Sequence, residues 1–191
     1  MDISIIGDGN VGSALARGLE KAGHHVATCG HNPQSEKQLA DAGEIIILAV
    51  PFSAIDEVAS TIGHSADGKT VVDVTNAVTP DMKLAVGFTT SGAEELQKKL
   101  PDAKVVKAFN TDFANTMDSG HAKGEQLSAF VAGDDKEAKM TVLELAEDIG
   151  FDAIDAGPLQ NARLLEPLAM LNIQLGMKLG LGRDSGIKVV H

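Results

Sequence analysis

Cysteine, tryptophan and tyrosine are almost missing from the chain. Among its 191 residues there are one cysteine, no tryptophan and no tyrosine, and aromatic residues make up only 3%. The single thiol, Cys29, excludes an internal disulfide and a cysteine-based zinc cluster, and it is compatible with a reducing cytosol. The lack of tyrosine excludes mechanisms in which a tyrosine donates the proton. We therefore expect a cytoplasmic protein without a metal site.

Basic residues and long apolar runs are also scarce. The chain has 16 Lys and Arg residues against 27 Asp and Glu residues, which gives a formal net charge of −11 at pH 7. Nucleic-acid binding depends on clustered Lys and Arg that contact phosphates, so this balance argues against a nucleic-acid partner. No apolar run reaches the about 18 residues of a membrane-spanning helix. The apolar strand after Met1-Asp2 has no basic leader, so neither a membrane partner nor a signal peptide is expected.

Short apolar runs alternate with segments of helical periodicity along the chain. The predicted strands cover residues 2–6, 25–29, 45–50, 70–74, 104–108, 127–132 and 151–155, and the predicted helices cover about 11–22, 33–42, 93–100, 136–149 and 164–181. This alternation favours parallel pairing and an α/β fold with a doubly wound, mainly parallel sheet. We expect one domain over residues 1–191, with the sheet core in 1–157 and a C-terminal helix and tail in 158–191.

A glycine-rich motif, Gly7-Asp8-Gly9-Asn10-Val11-Gly12, follows the first predicted strand and precedes the first predicted helix. In this context Gly7 permits the sharp turn, Gly9 lets the backbone approach a diphosphate, and Gly12 lets the helix pack close to the strand. The start of the helix presents free N–H groups and about half a positive charge to the phosphates. The motif predicts a dinucleotide-binding site.

The end of the second predicted strand bears on which dinucleotide is bound. It reads Cys29-Gly30-His31-Asn32-Pro33-Gln34-Ser35, and the nearest acid is Glu36. A site for NAD usually has Asp or Glu at this tip to hold the ribose hydroxyls. Its absence favours NADP, with donors from His31, Asn32 and Ser35. NAD stays possible, because no arginine is present to select the 2′-phosphate.

The reactive centre of an open α/β sheet lies beyond the carboxyl ends of its strands. These ends read Ala49-Val50-Pro51-Phe52, Val74-Thr75-Asn76-Ala77, Ala108-Phe109-Asn110-Thr111 and Gly133. We expect Ala49, Val50, Pro51, Thr75 and Asn76 to contact the cofactor. We expect Phe52, Ala108, Asn110 and Thr111 to line the substrate pocket.

No acid or base is found at these tips, apart from Lys107 one step inside a strand. Oxidation of an alcohol needs a proton acceptor, whereas hydride transfer between two stacked rings needs mainly distance and alignment. The tips therefore favour ring-to-ring hydride transfer, and no catalytic residue is predicted from them.

Two local patterns complete the prediction. Residues 75–92 form the longest stretch without clear periodicity, and a loop of that length is more often functional than idle. Arg163 and Glu166 lie three residues apart on the last predicted helix, which predicts a helical ion pair.

Several motifs along the chain resemble a known family, the NADPH-dependent reductases of the deazaflavin coenzyme factor 420 and the related domains of six-transmembrane ferric reductases. The motifs are Ile5-Ile6 with the glycine-rich turn, Leu48-Ala49-Val50-Pro51, Val72-Asp73-Val74-Thr75-Asn76, Lys107-Ala108-Phe109-Asn110-Thr111, Val131-Ala132-Gly133-Asp134-Asp135, Asp155-Ala156-Gly157-Pro158-Leu159 with Asn161-Ala162-Arg163, and Gly186-Ile187-Lys188-Val189. The resemblance implies NADP at Gly7 to Gly12, a homodimer, and a flavin, deazaflavin or similar small-molecule acceptor beside Val50, Pro51, Asn76 and Asn110.

The chain departs from the family motifs in one place and is closer to one branch in another. The family often has Ser-Arg or Arg where this chain has His31-Asn32, and the Phe-Asn-Thr segment is closer to the ferric-reductase domains.

Two alternative functions are compatible with the sequence. The first alternative function is a non-catalytic NADP(H)-binding redox sensor, which would equally lack a proton donor at the strand ends. An imine or hydroxy-acid reductase normally needs a helical second domain of about 100 residues, whereas only about 30 residues follow Gln160 here.

Overall fold

The computed structural model describes residues 1–79 and 81–191 and contains a seven-stranded sheet and a two-stranded hairpin. Pro80, in the predicted loop of 75–92, lies outside the described residues. The strands are β1 Asp2–Ile6, β2 His25–Cys29, β3 Ile45–Leu48, β4 Thr70–Asp73, β5 Lys104–Lys107, β6 His121–Ala122, β7 Glu125–Gln126, β8 Ser128–Gly133 and β9 Asp152–Asp155. All seven strands of the sheet were predicted within two residues at each end.

In the part of the chain that the structure describes, six α-helices accompany the strands, with short 3-10 turns at 52–54, 63–66 and 159–161. The helices are α1 Asn10–Lys21, α2 Pro33–Ala42, α3 Ile55–Ile62, α4 Gly92–Lys99, α5 Lys136–Ile149 and α6 Ala162–Met177. Three of them begin at side-chain caps: Asn32 Oδ1 accepts from the Ser35 N–H at 2.9 Å, Ser91 Oγ accepts from the Glu94 N–H at 3.2 Å, and Asp135 Oδ1 accepts from the Ala138 N–H at 2.9 Å. Each cap satisfies a donor that a helix start leaves free.

The order of the sheet is β2-β1-β3-β4-β5-β8-β9, and β1 to β5 are mutually parallel. The chain leaves β1 to one side for β2 and returns to the other side for β3, so the topological switch point lies between β1 and β3. A ligand crevice opens at such a point, outside the carboxyl ends of the strands. The predicted doubly wound fold is confirmed, and it places the glycine-rich turn at the switch point.

One edge of the sheet departs from the parallel pattern. β8 runs antiparallel to β5, with Val106 opposite Gly133, while β9 pairs with β8 in parallel. The carboxyl end of β8 therefore points away from the edge that the carboxyl ends of β4 and β5 form. The prediction that Gly133 belongs to the reactive edge is wrong, because a hairpin, β6 and β7, and the loop before it replace a crossover helix between β5 and β8.

The sheet separates two apolar clusters, so its central strands are buried on both faces. On β3, Ile45 and Ile47 belong to one cluster with helices α1 and α5, whereas Ile46 and Leu48 belong to the other with helices α2, α3 and α4. A strand buried on both faces has a continuous apolar sequence rather than an alternating one. The sheet is thus a rigid platform for the loops at its carboxyl edge.

The last helix is shorter than its periodicity predicts. It covers Ala162–Met177, not 164–181, and Gly180 and Gly182 beyond it adopt φ values of +82° and +83°. The tail then follows β8, where the Ser128 N–H donates to the Ile187 carbonyl at 2.9 Å and Ser128 Oγ accepts from the Val189 N–H at 2.9 Å. Among the described residues, each helix falls short of the length and apolarity that a bilayer span requires.

Candidate functional site

The three glycines of the Gly7–Gly12 turn have different surroundings. Gly7 has a φ of +114°, and a Cβ built on it would overlap the carbonyl oxygen of Ala49. A Cβ on Gly12 would overlap the carbonyl oxygen of Gly7, whereas a Cβ on Gly9 meets nothing within 4 Å. Gly7 and Gly12 are therefore required by the packing of the protein itself. Gly9 keeps a space open that the protein does not fill.

Helix α1 begins at this open space. Gly9 is its N-cap and provides no side-chain cap, and its first turn contains no acidic residue. The free N–H groups and the positive end of the helix dipole suit an anion. The residues present therefore fit a diphosphate, as the motif predicts. Asp8 lies beside the turn and close to Gly30, since a Cβ on Gly30 would be 2.8 Å from Asp8 Oδ2.

The end of β2 differs from its prediction in one respect. Asn32 and Ser35 are joined by the cap of α2, so the Asn32 carboxamide oxygen is already engaged. His31 is 65% exposed at its side chain, and its Nδ1 lies 3.1 Å from Oε1 of Glu36. Glu36 is only 1% exposed, and its Oε2 has no hydrogen-bond partner in the described structure. The carboxyl end of β2 therefore does have a carboxylate near it, that of Glu36 in the first turn of α2, and the His31 ring contacts this carboxylate.

A second carboxylate lies near the other face of the same histidine. Glu57 Oε1, on α3, is 3.8 Å from His31 Nε2. The imidazole of His31 therefore lies between two acids at this tip. A substituent on the adenosine ribose would meet this group of three side chains.

The end of β3 forms the wall across from the glycine-rich turn. The Ala49 N–H donates to the Ile6 carbonyl at 2.8 Å, which joins the ends of β1 and β3. Pro51 then turns the chain into a 3-10 helix, and the Phe52 ring packs on the second apolar cluster and against Gly92. Ala49, Val50 and Pro51 thus lie across from the glycine-rich turn, and their contact with a nicotinamide ring stays a prediction. Phe52 does not line the cavity beside the start of α1.

A cavity of about 380 Å³ opens beside the start of α1. Four predicted site residues line it: Asn10 and Val11 from the glycine-rich motif, Asn76 after β4, and Asn110 after β5. Helix α6 closes its other side with Asn172, Ile173 and Met177. Of the predicted pocket residues, Ala108 and Thr111 are buried behind this wall. The cavity includes Asn10 and Val11 of the glycine-rich motif in its lining and is large enough for a ring system.

Two asparagines in the wall are bonded to each other. Asn76 Nδ2 donates to the Asn110 carbonyl at 3.0 Å, and Asn110 Nδ2 donates to Asn76 Oδ1 at 3.2 Å and to the Leu165 carbonyl at 3.1 Å. Asn110 Oδ1 is buried and has no hydrogen-bond partner among residues 1–79 and 81–191. Because both amide hydrogens of Asn110 are used, this oxygen is left as an acceptor on the wall. The backbone just before it is strained, since Phe109 has a φ of +61°.

Three buried charges hold this wall in place. Lys107 Nζ lies 3.0 Å from Asp73 Oδ2 and 3.1 Å from Glu166 Oε1, and the three side chains are at most 1% exposed. Lys107 also donates to the Thr75 carbonyl at 2.6 Å. Burial alone would lower the pKa of Lys107, but the two carboxylates more than reverse this effect, so its pKa is raised. Lys107 is thus a charged anchor for the turn that leads to Asn76.

The predicted ion pair between Arg163 and Glu166 is wrong. Glu166 does not pair with Arg163, which instead donates to Glu94 at 2.9 and 2.7 Å. Glu166 accepts from the Gly92 and Ala93 N–H groups at 3.0 and 3.3 Å, at the start of α4, in addition to contacting Lys107. The buried cation provides a stronger partner than a neighbour on the same helix.

One titratable side chain in the cavity was missed by the sequence analysis. Asp112 follows Thr111 directly, so it lies one residue beyond the strand end 108–111 from which the pocket was predicted. It is 9% exposed and lines the cavity. Burial raises its pKa to about 7, which the hydrogen bond from the Thr111 hydroxyl offsets only in part. The site therefore combines neutral donors and acceptors with one carboxyl group that can exchange a proton near neutral pH.

Comparison with known proteins connects this geometry to named relatives. The family described as NADP oxidoreductase, coenzyme F420-dependent, matches residues 2–44 and 32–77. An F420-dependent NADP reductase of Methanothermobacter marburgensis is 30% identical over 162 residues, which cover 81% of this chain and 71% of that protein. Metalloreductase STEAP3 of Rattus norvegicus is 32% identical over 184 residues, which cover 88% of this chain but 37% of that longer protein.

A solved structure extends the likeness to the whole fold. The crystal structure of a candidate F420-dependent NADP reductase from Arthrobacter sp. FB24 superposes with a TM-score of 0.91 and 28% identity, covering 99% of each chain. The match includes the C-terminal helix that closes the cavity. It supports a common architecture for the two proteins from the glycine-rich turn to the tail.

Proposed function

The chain belongs to the family of F420-dependent NADP reductases, and we propose on that basis that it is an NADP(H)-dependent oxidoreductase that transfers a hydride between nicotinamide and a flavin- or deazaflavin-like acceptor. The observation that carries the proposal is the cavity of about 380 Å³, because one wall is the start of α1 and the other includes the carboxyl ends of β4 and β5. A ring seated there would lie next to a dinucleotide held at Gly9.

NADP, when bound, supplies the hydride from its nicotinamide ring. The backbone from Gly9 to Gly12 would hold its diphosphate, and His31 would face its adenosine end. Ala49, Val50 and Pro51 would form the wall against the nicotinamide. Positioned rings at close distance convert a bimolecular hydride transfer into an effectively unimolecular step.

The acceptor would be positioned by polar groups that are themselves fixed. Asn76 and Asn110 hold each other at 3.0 and 3.2 Å, and α6 supports Asn110 through the Leu165 carbonyl. The free Asn110 Oδ1 suits an N–H group of a heterocycle. Such preorganisation limits the freedom of the two rings, which is what hydride transfer requires.

An acceptor panel tests this proposal. Purified protein is mixed with NADPH or NADH and, in turn, a deazaflavin, FMN, FAD, a quinone and a ferric chelate, and the loss of reduced nicotinamide absorbance is followed by stopped flow. We expect turnover with at least one isoalloxazine or deazaflavin ring and faster turnover with NADPH. Binding of NADPH without oxidation by any acceptor would contradict the proposal and favour a redox sensor.

We further propose that the protein is a homodimer that associates through α6. Leu164, Leu168, Leu171 and Leu175 recur at intervals of four, three and four residues, which places them on one helix face. Leu164 is 65% exposed and Leu171 is 51% exposed. A stripe of leucines on the outside of a helix suits packing against the same helix of a second copy.

The oligomeric state can be tested by multi-angle light scattering. Wild-type protein should elute with twice the mass of the chain, and the double variant Leu164→Glu, Leu171→Glu should elute as a monomer. Met140→Glu is the matched control, because Met140 is 50% exposed on α5 and away from the stripe. A monomeric wild type, or a double variant that is still dimeric, would refute the α6 interface.

A further inference from the structure

Asp112 has a free carboxylate oxygen beside the cavity. Its Oδ2 accepts from the Thr111 hydroxyl at 3.1 Å, whereas its buried Oδ1 has no hydrogen-bond partner among the described residues. The side chain lines the same cavity as Asn10, Asn76 and Asn110. An unpaired carboxyl oxygen is costly to bury, so a ligand that bonds to it would remove this cost.

Few ionisable side chains lie near Asp112. Within the described part of the lining, the other ionisable side chain is Arg183 of the tail. Helix α6 presents the amide Asn172 to this segment, and that amide donates to the Thr111 carbonyl at 2.8 Å. The buried Lys107 is paired with Asp73 and Glu166. No buried cation thus holds Asp112 in its charged form.

The chemistry of the proposed function requires one proton in addition to the hydride. Reduction of a flavin- or deazaflavin-like ring by two electrons adds a hydride at one ring atom and leaves negative charge on a ring heteroatom. A proton donor within hydrogen-bond reach neutralises this charge, and its pKa should lie near the working pH. Burial brings the pKa of Asp112 to about 7, which meets that condition.

We propose that Asp112 is the proton donor to the acceptor bound in this cavity, an inference that rests on the proposed function. The acceptor takes two electrons and one hydrogen as hydride from the reduced nicotinamide. The O–H bond at Asp112 breaks, and its proton forms a bond to a ring nitrogen or oxygen of the acceptor. Asp112 is left as a carboxylate and regains its proton from water. In the reverse direction the carboxylate accepts the same proton.

The central variant is Asp112→Asn, which keeps the size of the side chain and cannot release a proton. With NADPH and the best acceptor of the panel, we expect the wild-type kcat to fall as the pH rises above about 7, because the carboxyl ionises. The variant should have a kcat lowered by about 100-fold or more, without this pH dependence, and an NADPH Kd within about twofold of wild type. Asp102→Asn, the same change at an exposed remote site, should behave as wild type.

Infrared difference spectroscopy between pH 6 and pH 8 gives a readout that does not depend on turnover. Wild type and Asp102→Asn should lose a protonated carboxyl band over this range, and Asp112→Asn should lack it. A wild-type spectrum without the band, or a wild-type kcat that is constant from pH 6 to 8.5, overturns the assignment even if the variant does not fold.

The results separate the inference from the function on which it rests. If wild type oxidises NADPH and Asp112→Asn matches it in kcat and pH profile, the proton donor is another group, and the proposed function stands. If none of the acceptors in the panel leads wild type to oxidise NADPH, the function and the inference both fail. A slow variant with a flat pH profile and normal NADPH affinity supports both.

Discussion

Gly9 can take a side chain without a clash inside the protein, whereas Gly7 and Gly12 cannot. Gly9→Val should therefore fold normally and lose NADPH binding, because its side chain fills the space in front of the α1 N–H groups. Loss of two charge-assisted hydrogen bonds at about 2 kcal/mol each, about 4 kcal/mol together, predicts an affinity lowered by about 1,000-fold. Isothermal titration measures this affinity, and circular dichroism checks the fold.

Gly7→Ala is the contrasting variant for the same turn. Its Cβ would overlap the Ala49 carbonyl at a φ of +114°, so we expect a large loss of thermal stability. If Gly9→Val binds NADPH as tightly as wild type, the turn does not hold the diphosphate. If instead Gly9→Val is as unstable as Gly7→Ala, its space is needed by the fold.

His31 stands between two carboxylates at the adenosine end. Its replacement by alanine would leave Glu36 and Glu57 facing the 2′-phosphate without the imidazole between them, so His31→Ala should weaken NADPH binding more than NADH binding. An effect of about 1 kcal/mol corresponds to roughly fivefold. His25→Ala, on an exposed histidine at the opposite end of β2, is the control. Equal losses for both dinucleotides would rule out a role in selecting the phosphate.

Asp112 makes the stability of the fold depend on pH. Its folded-state pKa of about 7 lies above the value of about 3.9 in an unfolded chain, so the native state binds the proton more tightly. The stabilisation is complete below about pH 4 and is lost as the pH rises to 7, which amounts to about 4 kcal/mol at most. Urea unfolding gives the free energy of unfolding at pH 4.5 and at pH 8. Relative to wild type, this free energy should rise between the two pH values for Asp112→Asn, by at most the difference above, and should not change for Asp102→Asn. No relative gain at pH 8 would mean that Asp112 is not buried as a free acid.

At the scale of elements, the buried charges join β4, β5 and α6. Lys107→Met would leave Asp73 and Glu166 buried without their cation, and loss of one partner from such a group costs about 3–5 kcal/mol. Chemical denaturation should show this loss. The triple variant Asp73→Asn, Lys107→Met, Glu166→Gln removes all three charges and should recover part of it. A Lys107→Met protein as stable as wild type would disprove the anchoring role.

Elements that depend on local pattern were predictable from the sequence. The β3 strand has continuous apolar residues, and α2 begins at Asn32-Pro33, a cap and a first position that proline suits. The antiparallel direction of β8 was not predictable, because the hairpin at 121–126 that reverses the chain is too short to give a periodic signal.

The site was predictable only where its residues follow a strand of clear pattern. Asn10, Val11, Asn76 and Asn110 line one cavity, in keeping with the rule that carboxyl ends of parallel strands share an edge, and their contacts with cofactor and acceptor stay predictions. Asp112 required knowledge of burial, which turns an ordinary acid into one with a pKa near 7. Glu166 and the α6 wall required long-range contacts that no spacing in the sequence encodes, whereas the contact of Glu36 with His31, five residues away, required the local geometry at the start of α2.

At the scale of the whole molecule, the C-terminal segment is part of the site. Ile173 and Met177 of α6 and Arg183 of the tail line the cavity, and the tail is bonded to Ser128 on β8. A sheet core that ended at residue 157 would therefore have an open crevice and no closed acceptor cavity. This supports the proposal that residues 1–191 are one domain, while the predicted cytoplasmic location stays a prediction.

The most direct test of the account is a deuterium-transfer measurement with NADPH labelled at the transferable position of the nicotinamide. A deazaflavin is the acceptor of choice, because a hydride received at a ring carbon does not exchange with water. We predict that the reduced deazaflavin carries the deuterium, as judged by mass spectrometry, and that Gly9→Val gives none. Consumption of labelled NADPH with no deuterium in the acceptor would contradict direct hydride transfer between two rings held in this cavity.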